Sequence, residues 1–202
     1  MNKSLLGVSR WFKDNGLKLN IEKTQNIRFG EYGPLQHTLS LNDFEEIRIM
    51  DVAKFLGLNI DRHLNWSDHI NTIIQRVNKY SFLIRSLRLT VPLEVLLNVY
   101  YAYVESSLRY GRVIWRGSSH VGRLFVAQKK CVRAIIGAGP RTHCKQVFQR
   151  LNILTIYDLC AMESMLFLKK HPGLFNENAS VHDHNTRCKN DLRINAGCLA
   201  IT

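Results

Sequence analysis

Apolar positions in the first sixty residues follow two periods in turn. In NKSLLGVSRWFKDNGLKLN, Leu5, Val8, Trp11 and Phe12 recur at helical spacing. Asn15-Gly16 then offers the left-handed backbone that commonly ends a helix. LKLN and TQNIRF read as two short strands around Ile21-Glu22-Lys23, and TLSLNDFEEIRI reads as a hairpin turning at Asn42-Asp43. VAKFLGLNIDRHLNW, 52–66, supplies the next strand over 54–60, with Gly57 at its centre. Glycine weakens a strand and usually marks a bulge or a second backbone passing close. Gly57, introduced by Lys54, Phe55 and Leu56, therefore needs a reason.

After residue 61 the period becomes helical throughout. Ser67 can cap a helix carrying Ile70, Ile73, Ile74, Val77, Ile84 and Leu87. Pro92 suits the first turn of a second, carrying Leu93, Leu96, Leu97, Tyr100, Val104 and Leu108. Ser118 or Ser119 can start a third, with Val121, Leu124, Phe125, Val132, Ile135 and Ile136, stopped by Gly137-Ala-Gly-Pro140. A short helix follows at about 143–151. Thr155 with Asp158 resembles a capping box before a last helix ending near His171-Pro172. The final thirty residues lack a firm period. The expected fold is α+β: 1–61 a helix with a small antiparallel sheet, 62–172 an α-helical bundle, and 173–202 a poorly structured tail.

Composition narrows the function. With 46% hydrophobic residues the chain can bury a core, so disorder is excluded as a description of the whole. No apolar run is long enough to span a membrane, and no signal-peptide pattern is present. Cys131, Cys144, Cys160, Cys188 and Cys198 are odd in number and never form C-x-x-C, which suits reduced thiols. The expectation from these features is an intracellular chain, in cytoplasm or nucleus, away from membranes. The net charge of +12 sits entirely in residues 62–150, where 15 Lys and Arg face only Asp68, Glu94 and Glu105. A field of that sign, concentrated in one segment, favours a polyanion over a solubilising surface.

WFKDNGLKLNIEKT, KFLGLNIDRHLNWSDHI, VYYAYVESSLRYGRVIW, RAIIGAGPRTH and LNILTIYDL, in that order and followed by VHDHNTRCKNDL, resemble the reverse transcriptases of jockey-type non-LTR retrotransposons. These are RNA-directed DNA polymerases of transposable elements. The resemblance implies that GLKLNIEKT closes the palm, that KFLGL is a primer-grip hairpin, and that the later helices form a thumb over a template–primer duplex. On that footing Gly57 lies where a nucleic-acid backbone passes, with Lys54, Phe55 and Leu56 beside it. Lys23 matches a lysine placed near the incoming nucleotide, where a cation can offset pyrophosphate charge. Read without the resemblance, it is a turn lysine in solvent.

The intact family uses Mg2+ held by palm carboxylates, including an Asp-Asp hairpin. No adjacent aspartates occur in this chain, and Met1 falls just after the place for that hairpin. The expectation is a fragment with no catalytic residue and no metal or cofactor of its own. It would bind RNA/DNA template–primer and join the missing palm and fingers. The rival expectations are a host-adopted helical module that binds nucleic acid or protein, and a non-functional remnant.

Within the basic segment, Arg123, Lys130 and Arg133 share one face of the third helix, widened by Lys129, while Arg112 and Arg116 flank Trp115 just before it. Such cations would track phosphates with little sequence preference; the bland alternative is a solvated face. Tyr100, Tyr101 and Tyr103 could stack bases, although helical placement favours packing for Tyr100. Asp61, His63, Asp68 and His69 crowd together without metal-ligand spacing, and His182, His184, Cys188 and Cys198 match no zinc pattern.

Overall fold

Helix α1 spans Lys3–Asp14. It ends as its sequence dictates: Gly16 takes φ +68°, and the Leu17 N–H reaches back to the Phe12 carbonyl (2.8 Å). These elements belong to a computed structural model that describes residues 3–30, 38–42, 45–177 and 192–194. By its internal contacts the chain divides into two units, Met1–Arg76 with Ser118–Leu124, and Val77–Gly117 with Phe125–Thr202.

In the first unit, β1 (Asn26–Ile27), β2 (Thr38–Asn42) and β3 (Glu45–Met50) form a sheet in the order β1-β3-β2. β2 and β3 pair antiparallel with an irregularity between Ser40 and Asn42. Asp43, expected in their turn, lies outside the described residues. LKLN is not a strand. Asn20 instead organises a turn, its side chain accepting the Lys23 N–H (3.1 Å) and its carbonyl accepting the Thr24 hydroxyl (2.7 Å). Deprived of that neighbour, β1 pairs with β3, and it does so in parallel, so this sheet is mixed rather than purely antiparallel.

The segment that reads from its residue pattern as one strand over 54–60 is a hairpin, as the resemblance implies, formed by β4 (Val52–Phe55) and β5 (Leu58–Asp61). Its two-residue turn has φ +46° at Leu56 and +80° at Gly57. That is the primed geometry whose twist matches paired strands, and it requires positive φ at both central residues. Gly57 is therefore explained by its turn. The base of the hairpin is pinned by Arg62, whose guanidinium reaches Asp51 (3.4 Å) and the Gly30 carbonyl (3.3 Å).

Helix α2 covers Ser67–Leu87. The loop before it is built around Asp61, whose carboxylate accepts the backbone N–H groups of His63 (3.1 Å), Asn65 (2.9 Å) and Trp66 (2.6 Å). The helix then packs back on the hairpin: Asn59 donates from its side chain to the Thr72 hydroxyl (3.0 Å) and from its backbone to His69 Nδ1 (3.4 Å). This packing explains why the units divide at Arg76/Val77, inside α2, and not at residue 62 where the period changes.

The second unit is mainly helical. After Pro92, α3 (Leu93–Val99) runs into a π-helical stretch, Tyr100–Glu105, and then α4 (Ser106–Arg109). Leu96, Tyr100, Val104 and Leu108 are all buried at steps of four. In an ideal α-helix each such step drifts by about 40°; the wider π turn cancels the drift and keeps the four on one face. A short α5 (Arg112–Trp115), not anticipated from the sequence, precedes α6 (Val121–Ile136), α7 (Lys145–Arg150) and α8 (Ile156–Lys170). The capping box at Thr155 and Asp158 is formed in both directions.

Gln128 ties this core together. Wholly buried, it donates to the Tyr100 hydroxyl (2.9 Å) and the Leu154 carbonyl (2.9 Å) and accepts the Ile156 N–H (2.9 Å). Buried Cys131 donates to the Val77 carbonyl (3.6 Å), and burial pushes its thiol up to about 12, so it is an inert packing residue. The expected irregular tail contains a strand pair, β6 (Phe175–Glu177) with β7 (Leu192–Ile194). His182, His184, Cys188 and Cys198 lie outside the described residues. Overall the architecture is α+β, with small sheets followed by a helical bundle.

Candidate nucleic-acid interface

The C-terminal ends of α2 and α6 supply cations at matched spacing. Arg85 and Arg88 are three residues apart, as are Lys130 and Arg133, and at that spacing side chains on a helix are neighbours. The four line one cavity of 660 Å³, completed by Val126, Ala134, Gly137, Ala138 and Pro140. No acidic residue lines it. Among the described residues, none of the four cations pairs with a carboxylate.

Two local features hold this arrangement. Arg133 donates through Nε to the Thr142 carbonyl (2.9 Å), which fixes its guanidinium against the loop after α6. Gly137 ends α6 at φ +69°, with the Ala138 N–H returning to the Arg133 carbonyl (3.0 Å). A Cβ at Gly137 would stand 2.4–2.9 Å from the Arg88 guanidinium. The missing side chain thus serves twice, for the left-handed turn and for the approach of Arg88 to the helix end, whose partial negative charge favours a cation.

The other expected contact residues are placed unevenly. Lys54, Phe55, Leu56 and Gly57 come together on the hairpin tip of the first unit, where Phe55 and Leu56 are 61% and 72% exposed. Leu56 holds a left-handed conformation there that costs an ordinary side chain about 1–2 kcal/mol, and burial of its own side chain does not offset it. Lys23 is exposed on the Asn20 turn. Arg123 is exposed near the start of α6. Lys129 is half-buried, its ammonium 4.6 Å over the Phe125 ring.

Arg112 leaves the set. It is 1% exposed, and its Nε donates to the Leu108 carbonyl (2.7 Å). Burial pushes its guanidinium pKa down, against the pull of Cys160, Glu163 and Glu105. A side chain packed beneath α8 cannot reach a backbone phosphate. Its neighbour Arg116 is exposed and donates to the Ser164 hydroxyl. Tyr100 is core; Tyr103, half exposed, packs on Tyr80 (5.2 Å), and the exposed Tyr101 donates to the Asn152 carbonyl (3.4 Å).

Arg85 and Arg88 were not singled out from the sequence. The signal was available: RSLR repeats the three-residue spacing at a helix end, with no acid nearby. What the sequence lacked was the knowledge that this helix end meets the end of α6.

The described residues do not fit a divalent-metal site. Asp61 spends both carboxylate oxygens on backbone N–H groups. Burial opposes its ionisation, but the bonds from Asn65, Trp66 and His63 outweigh it and hold its pKa below the ordinary value. His69 is buried with Nδ1 turned to Asn59. Among the described residues no three His, Cys, Asp or Glu side chains converge, and no helix is long and apolar enough to cross a membrane.

A basic, acid-free cavity at a helix junction in one unit, and an exposed apolar hairpin tip in the other, invite comparison with known polymerases. The chain is 28% identical over 182 residues to "RNA-directed DNA polymerase from mobile element jockey" of Drosophila melanogaster, an alignment covering 86% of this chain. The chain is thus similar over most of its length to an RNA-directed DNA polymerase of a mobile element. A second relative, "Probable RNA-directed DNA polymerase from transposon X-element" of the same organism, is 27% identical over 163 residues, 74% of the chain. The chain spans 20% of the length of the first relative and 17% of the second. No family model and no solved structure matches it.

Proposed function

We propose that this chain is the template–primer-holding part of a retrotransposon RNA-directed DNA polymerase, in which the Val77–Gly117 and Phe125–Thr202 unit acts as a thumb on the nucleic-acid backbone. One observation carries the reading: Arg85, Arg88, Lys130 and Arg133 converge on one cavity with no acidic residue among its lining. Cations in such a setting take phosphates and ignore base sequence. The resemblance supplies the second support, because KFLGL, the primer-grip segment of the family, is here a hairpin with Lys54, Phe55 and Leu56 exposed at its tip.

The role is to hold and orient the duplex, with phosphoryl transfer left to carboxylates outside this chain. The absence of adjacent aspartates in the sequence supports that division of labour. So does the apolar stripe of α1, where Val8 and Trp11 are 49% and 57% exposed, which suits a face covered by further polymerase.

The test is equilibrium binding of a fluorescent RNA–DNA hybrid to the full chain at rising salt. Binding that is independent of sequence and weakens steeply with salt is expected. Failure to bind at low salt, or binding indifferent to salt, would refute the reading. A partner protein captured equally well after nuclease treatment, with no hybrid binding, would instead favour a protein-interaction module.

A further inference from the structure

A second cavity, of 590 Å³, adjoins the first, and Arg133 lines both. Its chemistry differs. The apolar side is aromatic: Phe125 from α6 and Phe148 from α7 stack at 6.0 Å with 29° between their planes, and Ile153 and Leu154 extend that side. Arg133, Arg141 and Lys145 supply positive charge. Gln149 and Asn152 also line it, and among the described residues neither side-chain amide makes a hydrogen bond. Asp158 is committed to the capping box with Thr155.

We propose that this second cavity receives one unpaired nucleotide of the strand whose phosphate lies in the first. The inference rests on the nucleic-acid reading above and adds a base-binding subsite to it. A planar base matches an aromatic surface, and stacking of that kind tolerates any base. Amides that both donate and accept can meet the edge of any base. The volume lies within the roughly 300–1,000 Å³ range of small-ligand pockets. Phosphates flanking the base meet Arg133 on one side and Arg141 or Lys145 on the other. Lys129, now 4.6 Å over the Phe125 ring, exchanges that contact for a phosphate when a base takes its place. A cleft for a purely apolar ligand would have no use for these cations, and a cleft for a bare anion would have no use for the rings.

Three labelled RNA–DNA hybrids of equal duplex length distinguish the claims. One is blunt, one carries a short single-stranded template overhang, and one carries the same overhang with abasic sites. The abasic overhang keeps every phosphate, so comparing it with the normal overhang isolates the base. Binding of the full chain about tenfold tighter to the normal overhang than to the abasic one is expected, on the scale of one stacked base. Phe125→Leu, which keeps most of the volume but removes the ring, should abolish that advantage and leave blunt-hybrid affinity unchanged. Equal affinity for normal and abasic overhangs overturns the subsite while leaving the thumb reading intact. Failure of all three hybrids to bind at low salt overturns both. The comparison on the unsubstituted chain decides the matter even if Phe125→Leu does not fold.

Discussion

Removing two cations from the first cavity should change how strongly salt weakens binding, and the size of the change can be worked out. Each phosphate neutralised contributes about −0.9 to the slope of log affinity against log salt. Four cations line the cavity and none is paired with a carboxylate, so four contacts predict a slope of about −3.6. Raising salt from about 50 to about 200 mM should then weaken binding roughly 150-fold. In the double variant Arg88→Ala, Lys130→Ala the slope should fall to about −1.8, and the same change of salt should cost only about 12-fold. Both side chains are exposed, so the fold should tolerate their loss. Fluorescence anisotropy of a labelled hybrid across that range reads the slope directly. The control is Lys169→Ala, Lys170→Ala, which removes the same charge from an exposed helix end outside the cavity. If both double variants flatten the slope equally, general charge and not the cavity holds the nucleic acid, and the reasoning fails.

The remaining predictions concern the supports of the two units. Leu56→Asn should raise the melting temperature, by about 0.5–1 kcal/mol of stability, because asparagine tolerates the left-handed turn better; it should also weaken hybrid binding if the apolar tip touches the duplex. A thermal melt showing a lower midpoint would contradict the turn assignment. Gln128→Leu should cost about 3–5 kcal/mol, since it strands the Tyr100 hydroxyl, the Leu154 carbonyl and the Ile156 N–H in the core; a urea titration with an unchanged midpoint would show the network to be idle. His69 is held below its ordinary pKa by burial and then by the charge of Arg76. The unfolded chain therefore takes up this proton at a higher pH than the folded one. Its contribution to stability is complete above about 6.5 and is lost as pH falls from there through the lowered folded value. Denaturation midpoints measured down that range should decline in the parent and decline less in His69→Phe.

Much of the helical half was legible because each element there carries its own signals. The Ser67–Leu87 apolar face, the Gly137 stop and the Thr155–Asp158 cap are all local, and all appear where the residues place them. The sheet half was less legible. A two-residue turn with leucine at its first central position carries no ordinary hairpin signature, so the residue pattern alone reads as one strand, and only the resemblance supplies the hairpin. LKLN alternates like a strand, yet Asn20 draws the chain into a turn, and only the tertiary pairing of β1 with β3 reveals the outcome. Arg112 misled for a related reason. Its neighbours Arg109 and Arg116 are exposed, and nothing in the string of letters shows that α8 covers one arginine of the three.

By itself, then, the sequence determined the resemblance to the polymerases, the sequence of sheets then helices, and the sign and location of the charge excess. Those follow from order, period and composition, which are properties of neighbours along the chain. The tertiary structure alone decided which cations are available and which are buried, because that depends on where separate helix ends meet. It joined Arg85 and Arg88 to Lys130 and Arg133 around one cavity, and set an aromatic cleft beside Arg133, since side chains dozens of residues apart become neighbours only when a shared core is packed.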